Sequence, residues 1–404
     1  MRAVQLDFAD PSFPASLVEV EEPALPRGDW GRVEVVTGGI CGSDLHLFSH
    51  NTGPSPTLIG VGTLPLLLGH EIAGRVIEAG PDFPLPVGSR VAVDPCLPCL
   101  VRGIDPPCEN CARGWTSCCL NLDSRVLTPG RTIGYTWGLG GGWAEQLVAH
   151  ASMVHPVPDP VSDRAACLHE PVSICAHGLL RSPPEDGSPV LVVGAGIIGL
   201  AAVAALRGMY PDCPVTVLAR HEHQAAAARA CGADHVVRAD PGGAHWEELA
   251  ALAGARLAGA LPDVMLMSGF PYVIEAVGTP AAVTDALRSA AYHGTVLLLG
   301  AAGISAVDLT PVWYKEVALV GSIDHQVDAG PAPGPAGGVG MHSIDRALAI
   351  LARGLLPEDA VVTHEFPLEA YREAVGTAVD KASGAIKVVF RPGGGPADGD
   401  GARR

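Results

Sequence analysis

The sequence predicts an α/β chain in which a doubly wound parallel sheet of the Rossmann type is joined to a second, β-rich part. Three observations carry this. The chain has 404 residues, too many for one ordinary domain and right for two of moderate size. Residues 1–150 hold short Val/Ile runs bounded by Gly, Pro or Asp, whereas from about Ser188 apolar strands alternate with Ala-rich helical stretches. The first of those strands runs straight into a glycine-patterned turn, Gly194-Ala-Gly-Ile-Ile-Gly199.

In the first part, Arg32–Thr37, Ile72–Ala79 and Arg90–Asp94 read as strands. Val190–Val193 is a fully apolar strand and Gly199–Met209 an Ala-rich helix. Val215–Leu218 is the next strand and Gln224–Cys231 the next helix. Tyr272–Ala276, a helical stretch near Ala281–Ala290, and Thr295–Leu299 continue the alternation. After about Gly321 it stops: Gly330–Gly340 is a Pro/Gly loop, Ser343–Arg353 a helix, and Ala385–Phe390 a closing strand. The tail after Arg391 has the composition of a disordered segment.

Composition narrows the function classes. Hydrophobic residues make up 48% of the chain, enough for two cores, and 50 Gly with 36 Pro suit many tight turns. A formal charge of −17 opposes binding to nucleic acid phosphates or anionic membranes. Met1–Asp10 has no apolar signal-peptide core, and the longest uncharged run, Val190–Leu206, is interrupted by glycines and too short to span a bilayer. A cytoplasmic protein without nucleic acid or membrane partners is expected. Six of the eleven cysteines fall between Cys96 and Cys119, a density that in a cytosolic chain points to metal.

The glycine turn fits G-x-G-x-x-G in the context a dinucleotide site requires, after a strand and opening a helix. Gly194 allows the tight turn, Gly196 lets the backbone approach a pyrophosphate, and Gly199 lets the helix pack on the strand. The helix start at Ile197 and Ile198 then offers free N–H groups to the phosphates. About 20 residues on, where NAD-binding folds carry an acid, stands Ala219, followed by Arg220. With no carboxylate to repel a 2′-phosphate and an arginine to hold it, NADP is expected in preference to NAD. The alternative is that Arg220 is solvated and Glu222 reaches the ribose.

Three polar clusters lie among apolar residues: Cys41-Gly-Ser43-Asp44-Leu-His46, Gly69-His70-Glu71, and His169-Glu170-Pro171. Cys, His and Glu are zinc ligands, and a catalytic site uses three of them with one position open. These clusters, the cysteine-rich lobe and the fingerprint about 25 residues after Glu170 follow one order along roughly residues 1–390, and in that order the chain resembles the zinc-containing medium-chain dehydrogenases. Glu170 is similar to the polyol, sugar and threonine dehydrogenase branch; classical alcohol dehydrogenases have cysteine there.

The resemblance implies a GroES-like β-barrel catalytic domain from about 1–174 and 321–392, a Rossmann domain over 175–320, and a disordered tail, 393–404. It implies a catalytic zinc on Cys41 and His70, with Glu71 and Glu170 sharing the remaining contacts in an order the sequence leaves open. Asp44 would orient a ligand, Ser43 would contact the substrate hydroxyl, and His46 would pass the proton on by way of the cofactor ribose. Zinc lowers the pKa of a bound hydroxyl, as it brings bound water to about 7, and hydride leaves most readily from an alkoxide.

Cys99, Cys108, Cys111 and Cys119 resemble the family's structural zinc ligands, although the gap from Cys99 to Cys108 is wider than the usual pattern. Cys96 rivals the first of them and Cys118 the last. Trp137, six residues before Trp143, stands where the family often has an aromatic in the substrate pocket, with a place in the core as the alternative. The implied activity is interconversion of a secondary, polyol- or sugar-like alcohol and a carbonyl, in a homodimer or homotetramer. Its rivals are a formaldehyde dehydrogenase or dismutase, a zinc-free reductase of the same superfamily, and a non-catalytic binding protein on this fold.

Overall fold

The structure is a computed structural model that describes residues 1–8, 10, 12–48, 64–260, 263–304, 306–330 and 340–393. Most of His50–Leu64, most of the Gly330–Gly340 loop and nearly all of the tail lie outside them.

One sheet has six strands, ordered His235–Arg238, Val215–Ala219, Val190–Val193, Phe270–Glu275, Ala290–Leu298 and Ala318–Gly321. Every neighbouring pair is parallel. Numbered along the chain, that order is 3-2-1-4-5-6, the doubly wound arrangement whose switch point lies beside the first strand. Val190–Val193 is buried throughout, as a strand covered on both faces must be. The helices Ile197–Met209 and His169–Arg181 pack together and are buried along most of their length.

A second sheet has seven strands, largely antiparallel. Trp30–Gly39 lies between Glu71–Ala79 and the closing strand Lys387–Phe390, so residues at opposite ends of the chain meet there. Arg2–Leu6, Ala15–Glu19 and Leu66–Leu67 form a third, small sheet. The two large sheets share a core: Ala73, Ala92 and Val389 pack in one apolar cluster with Val190, Val192 and Leu200.

The expected elements are present to within a few residues at their ends. Strands proposed at Arg32–Thr37 and Ile72–Ala79 are Trp30–Gly39 and Glu71–Ala79, and the helix proposed at Gln224–Cys231 is Glu222–Ala230. The hairpin of Arg2–Leu6 with Ala15–Glu19 and the helix His169–Arg181 were not anticipated.

The fingerprint turn is tight. Gly194 has φ +102°, and a Cβ on Gly199 would lie 1.9 Å from the Gly194 carbonyl oxygen. Gly199→Ala must therefore push the helix off the strand, and over-packing of this kind costs about 1–3 kcal/mol. Urea unfolding of Gly199→Ala should show a lower midpoint than wild type at an unchanged slope.

Candidate active site and metal centres

The strand Trp30–Gly39 delivers Cys41 to the start of the helix Gly42–Phe48. Asp44, fully buried in that helix, ties the local chain together: its Oδ2 accepts from the Cys41 N–H at 2.9 Å. Its Oδ1 accepts from the Tyr135 hydroxyl at 2.9 Å and faces His70 Nδ1 at 3.4 Å. Tyr135 Oη also lies 3.2 Å from Ser43 Oγ, which is 3.5 Å from His70 Nε2. Burial opposes a charge on His70, but Asp44 and Cys41 outweigh it and hold its pKa well above the ordinary value. The pocket around these side chains thus favours a cation. His46 is half-buried in the last turn of the same helix.

The two glutamates are placed differently. Glu71 Oε1 accepts from Lys387 Nζ at 2.6 Å, its Oε2 is also bonded to that ammonium, and both side chains are buried. Burial opposes the charge on Lys387, but Glu71 and the Cys41 sulfur raise its pKa. Glu170, in the first turn of the helix His169–Arg181, is buried at 3% exposure. Its Oε1 lies 3.5 Å from His325 Nε2, and its Oε2 has no hydrogen-bond partner among the described residues. A buried carboxylate oxygen in that state is costly unless a cation meets it. The donor set Cys41, His70 and Glu170 therefore suits a zinc ion in its chemistry. In the structure as described, the ligand atoms of these three residues do not all lie within 4.8 Å of one another.

The cysteine lobe is drawn tighter. The sulfurs of Cys99, Cys108, Cys111 and Cys119 all lie within 4.8 Å of one another, with Cys99 3.7 Å and Cys108 4.0 Å from Cys119. Main-chain N–H groups of Cys108, Cys111 and Leu120, and the Asn121 amide, point at these sulfurs. Partial burial raises the Cys108 thiol, but the N–H groups of Cys111 and Leu120 outweigh it and bring it to about 6, the thiolate a metal takes, while burial pushes the neighbouring Cys111 and Cys119 thiols up. The widened gap between Cys99 and Cys108 is thus a loop that leaves the four sulfurs together. Cys118 is exposed and outside the group, and Cys96 belongs to another.

At the cofactor turn, Gly196 precedes the helix Ile197–Met209 with no side-chain cap, so the first N–H groups, at Ile197 and Ile198, are open to a ligand. Arg220 is exposed just past the strand Val215–Ala219. Arg238, level with Ala219 on the next strand, donates to the Arg220 carbonyl at 2.8 Å and pairs with Glu222. Glu222 is also 3.6 Å from Arg229. Trp137 is 37% exposed, which removes the core alternative for it.

Lys387, Tyr135, His325 and Arg238 were missed by the sequence reading. Only Arg238 carried a usable signal, as a lone cation ending an apolar strand. Breaking a buried ion pair by removing one partner costs about 3–5 kcal/mol, because the other charge is left uncompensated. Lys387→Met should lose that much in urea unfolding, and adding Glu71→Gln should restore part of it.

Two family models match the chain: an alcohol dehydrogenase GroES-like domain over residues 27–159 and a zinc-binding dehydrogenase over 198–327. Among curated proteins it is 26% identical over 381 residues to D-arabinitol dehydrogenase 1 of Uromyces fabae, covering 93% of this chain and 94% of that protein. It is 28% identical over 382 residues to a sorbitol dehydrogenase of Bombyx mori, covering 93% and 96%. Among solved structures, one described as a short chain alcohol dehydrogenase of Escherichia coli CFT073, complexed with NADH, superposes with TM-score 0.73 at 25% identity, covering 97% of this chain and 99% of that one. A candidate zinc-binding dehydrogenase of Sinorhizobium meliloti 1021, bound to NADP, superposes with TM-score 0.72 at 26% identity, covering 97% and 99%. With the Rossmann sheet, the GroES-like part and the thiolate cluster in place, these matches show that the chain belongs to the zinc-binding medium-chain alcohol dehydrogenase family, oxidoreductases acting on CH–OH groups.

Proposed function

We propose that this alcohol dehydrogenase interconverts a secondary alcohol of polyol or sugar type and its carbonyl, with hydride passing to or from NADP in preference to NAD. The observation that carries the substrate reading is Glu170, a buried carboxylate with an unpartnered oxygen, in a chain whose curated relatives include arabinitol and sorbitol dehydrogenases. Residues 1–174 and 321–392 form the catalytic domain and 175–320 the cofactor domain, with the reaction in the cleft between them.

Cys41, His70 and Glu170 would hold the catalytic zinc. Glu71, neutralised by Lys387, anchors the start of the strand that follows His70. When bound, the ion supplies a Lewis acid that acidifies the substrate hydroxyl. Asp44 orients His70 and the Cys41 main chain. Ser43 receives the substrate proton, and its hydroxyl is positioned by Tyr135, whose own proton is directed at Asp44. His46 passes the proton towards solvent along the cofactor ribose. Cys99, Cys108, Cys111 and Cys119 would hold a structural zinc with four sulfurs, and Trp137 would line the substrate pocket.

For the cofactor, Gly194, Gly196 and Gly199 seat the pyrophosphate against the helix start at Ile197 and Ile198. Arg220 takes the 2′-phosphate. Glu222, the alternative ribose ligand, is already engaged by Arg229 and Arg238, which supports that assignment.

A panel of polyols, aminocyclitols and simple secondary alcohols, followed by the absorbance of reduced nicotinamide, tests the substrate reading. Turnover is expected on the polyols; turnover confined to formaldehyde would sink it. Cys41→Ser should abolish activity and lose one zinc per chain while the fold remains, and Ser43→Ala should lower kcat by roughly 100-fold or more.

The cofactor reading is checked by kcat/KM with NADP and NAD in wild type and Arg220→Ala. A charge-assisted contact of about 1.5–3 kcal/mol predicts a loss of roughly tenfold or more with NADP and little change with NAD. A wild type that prefers NAD, or an Arg220→Ala variant that keeps its NADP rate, would overturn it.

A further inference from the structure

Beyond the two metal centres described, three more ligating side chains converge where the sheets meet. Asp94 and Cys96 follow the strand Arg90–Val93, and His325 follows the strand Ala318–Gly321. They are 6%, 4% and 1% exposed, and one ligand atom from each lies within 4.8 Å of the other two. His342, in the short strand Met341–His342, brings its Nε2 to 3.3 Å from Asp94 Oδ2. We propose that Asp94, Cys96 and His325, with His342 beside them, form a further metal site that takes a zinc ion on ligands other than those of the catalytic site it adjoins and of the cysteine lobe.

The hydrogen bonds orient the His325 ring. Ser173 has one hydroxyl proton and donates it to the Glu170 carbonyl at 2.7 Å. Towards His325 Nδ1, also at 2.7 Å, Ser173 must therefore accept, so Nδ1 carries a proton and Nε2 is the nitrogen left to ligate. A divalent ion answers the imidazole, the Asp94 carboxylate and the Cys96 sulfur together. A histidine whose far nitrogen donates to a fixed oxygen is oriented as metal-ligating histidines are. Asp94 is oriented as well, since its Oδ1 accepts from the Cys96 N–H at 2.9 Å.

The donor types choose the metal. Magnesium and calcium take oxygen ligands, whereas a thiolate with imidazole and one carboxylate suits zinc. Tetrahedral zinc sets its ligand atoms roughly 3.3–3.8 Å apart, so the side chains need only close slightly from their present positions. Such an ion ties the loop after one catalytic strand to the segments carrying His325 and His342. It also holds the His325 ring against Glu170, whose other oxygen is left for the catalytic ion.

The test is zinc content per chain, by mass spectrometry of the purified full-length protein after dialysis against a weak chelator. Cys96→Ala should carry one zinc fewer than wild type, and Cys96→Ala combined with Cys111→Ser two fewer. Equal zinc in wild type and folded Cys96→Ala overturns the site and leaves His325 protonated instead. Should Cys96→Ala not fold, Asp94→Asn is read the same way. The wild-type total is a further check: zinc in excess of the ions lost in Cys41→Ser and Cys111→Ser supports the site, and no excess overturns it. Because those two variants report on the other centres separately, failure here is distinguishable from failure of the proposed function.

Discussion

The part of the molecule built on the seven-stranded sheet is organised around one buried ammonium. Lys387 Nζ donates to the Ile40 carbonyl at 2.9 Å and to both oxygens of Glu71. It therefore pins the residue before Cys41 and the residue after His70 with a single group contributed by the closing strand. The two segments that carry Cys41 and His70 adjoin neighbouring strands, and sheet pairing sets their spacing to within a residue. The ammonium then fixes their depth and orientation. Taking two charges out of water is expensive, and the pair is no cheap source of stability. Its return is specificity: the C-terminal strand has to close the sheet before Glu71 is compensated, so the site is complete only when the whole chain is in place.

The same reasoning separates the two glutamates, which the sequence treats alike. Both follow a histidine and both are buried. Glu71 has a full charge partner at hydrogen-bond distance, and a further cation there would compete with Lys387. Glu170 has, among the described residues, a neighbouring histidine ring and one unpartnered oxygen. Electrostatics thus assigns one carboxylate to hold the scaffold and leaves the other available to a metal.

What the sequence made legible follows from contact distance along the chain. The G-x-G-x-x-G turn, the Cys41–His46 helix and the lobe cysteines are local, and residue type at fixed spacing is enough to find them. Val190–Val193 and its neighbours are legible because strands buried on both faces must be apolar throughout. Tyr135 lies 92 residues from Ser43, His325 152 from Ser173 and Lys387 316 from Glu71. No periodicity or motif encodes such partners; they follow from the sheet order. The helix His169–Arg181 was hidden for a different reason. Its first turn, His169-Glu170-Pro171, reads as a site motif, although proline is well tolerated at that end of a helix.

The charge balance presents a last problem that the fold resolves locally. A chain of net charge −17 should repel a dinucleotide phosphate as it repels nucleic acid. At the carboxyl edge of the parallel sheet, however, two acids are already engaged. Glu275 is buried and accepts from the N–H groups of Val277 and Gly278, each at 2.9 Å, so its charge is spent on its own loop. Glu222 is engaged by Arg229 and Arg238. What remains at that edge is the uncapped start of the helix Ile197–Met209 and Arg220, which follows the second strand along the chain. The field that a phosphate meets there is set over a few ångströms by these groups, because exposed charges farther off than about 8 Å are screened at physiological ionic strength. An acidic protein can in this way exclude polyanions from its surface at large and still admit one at a single edge.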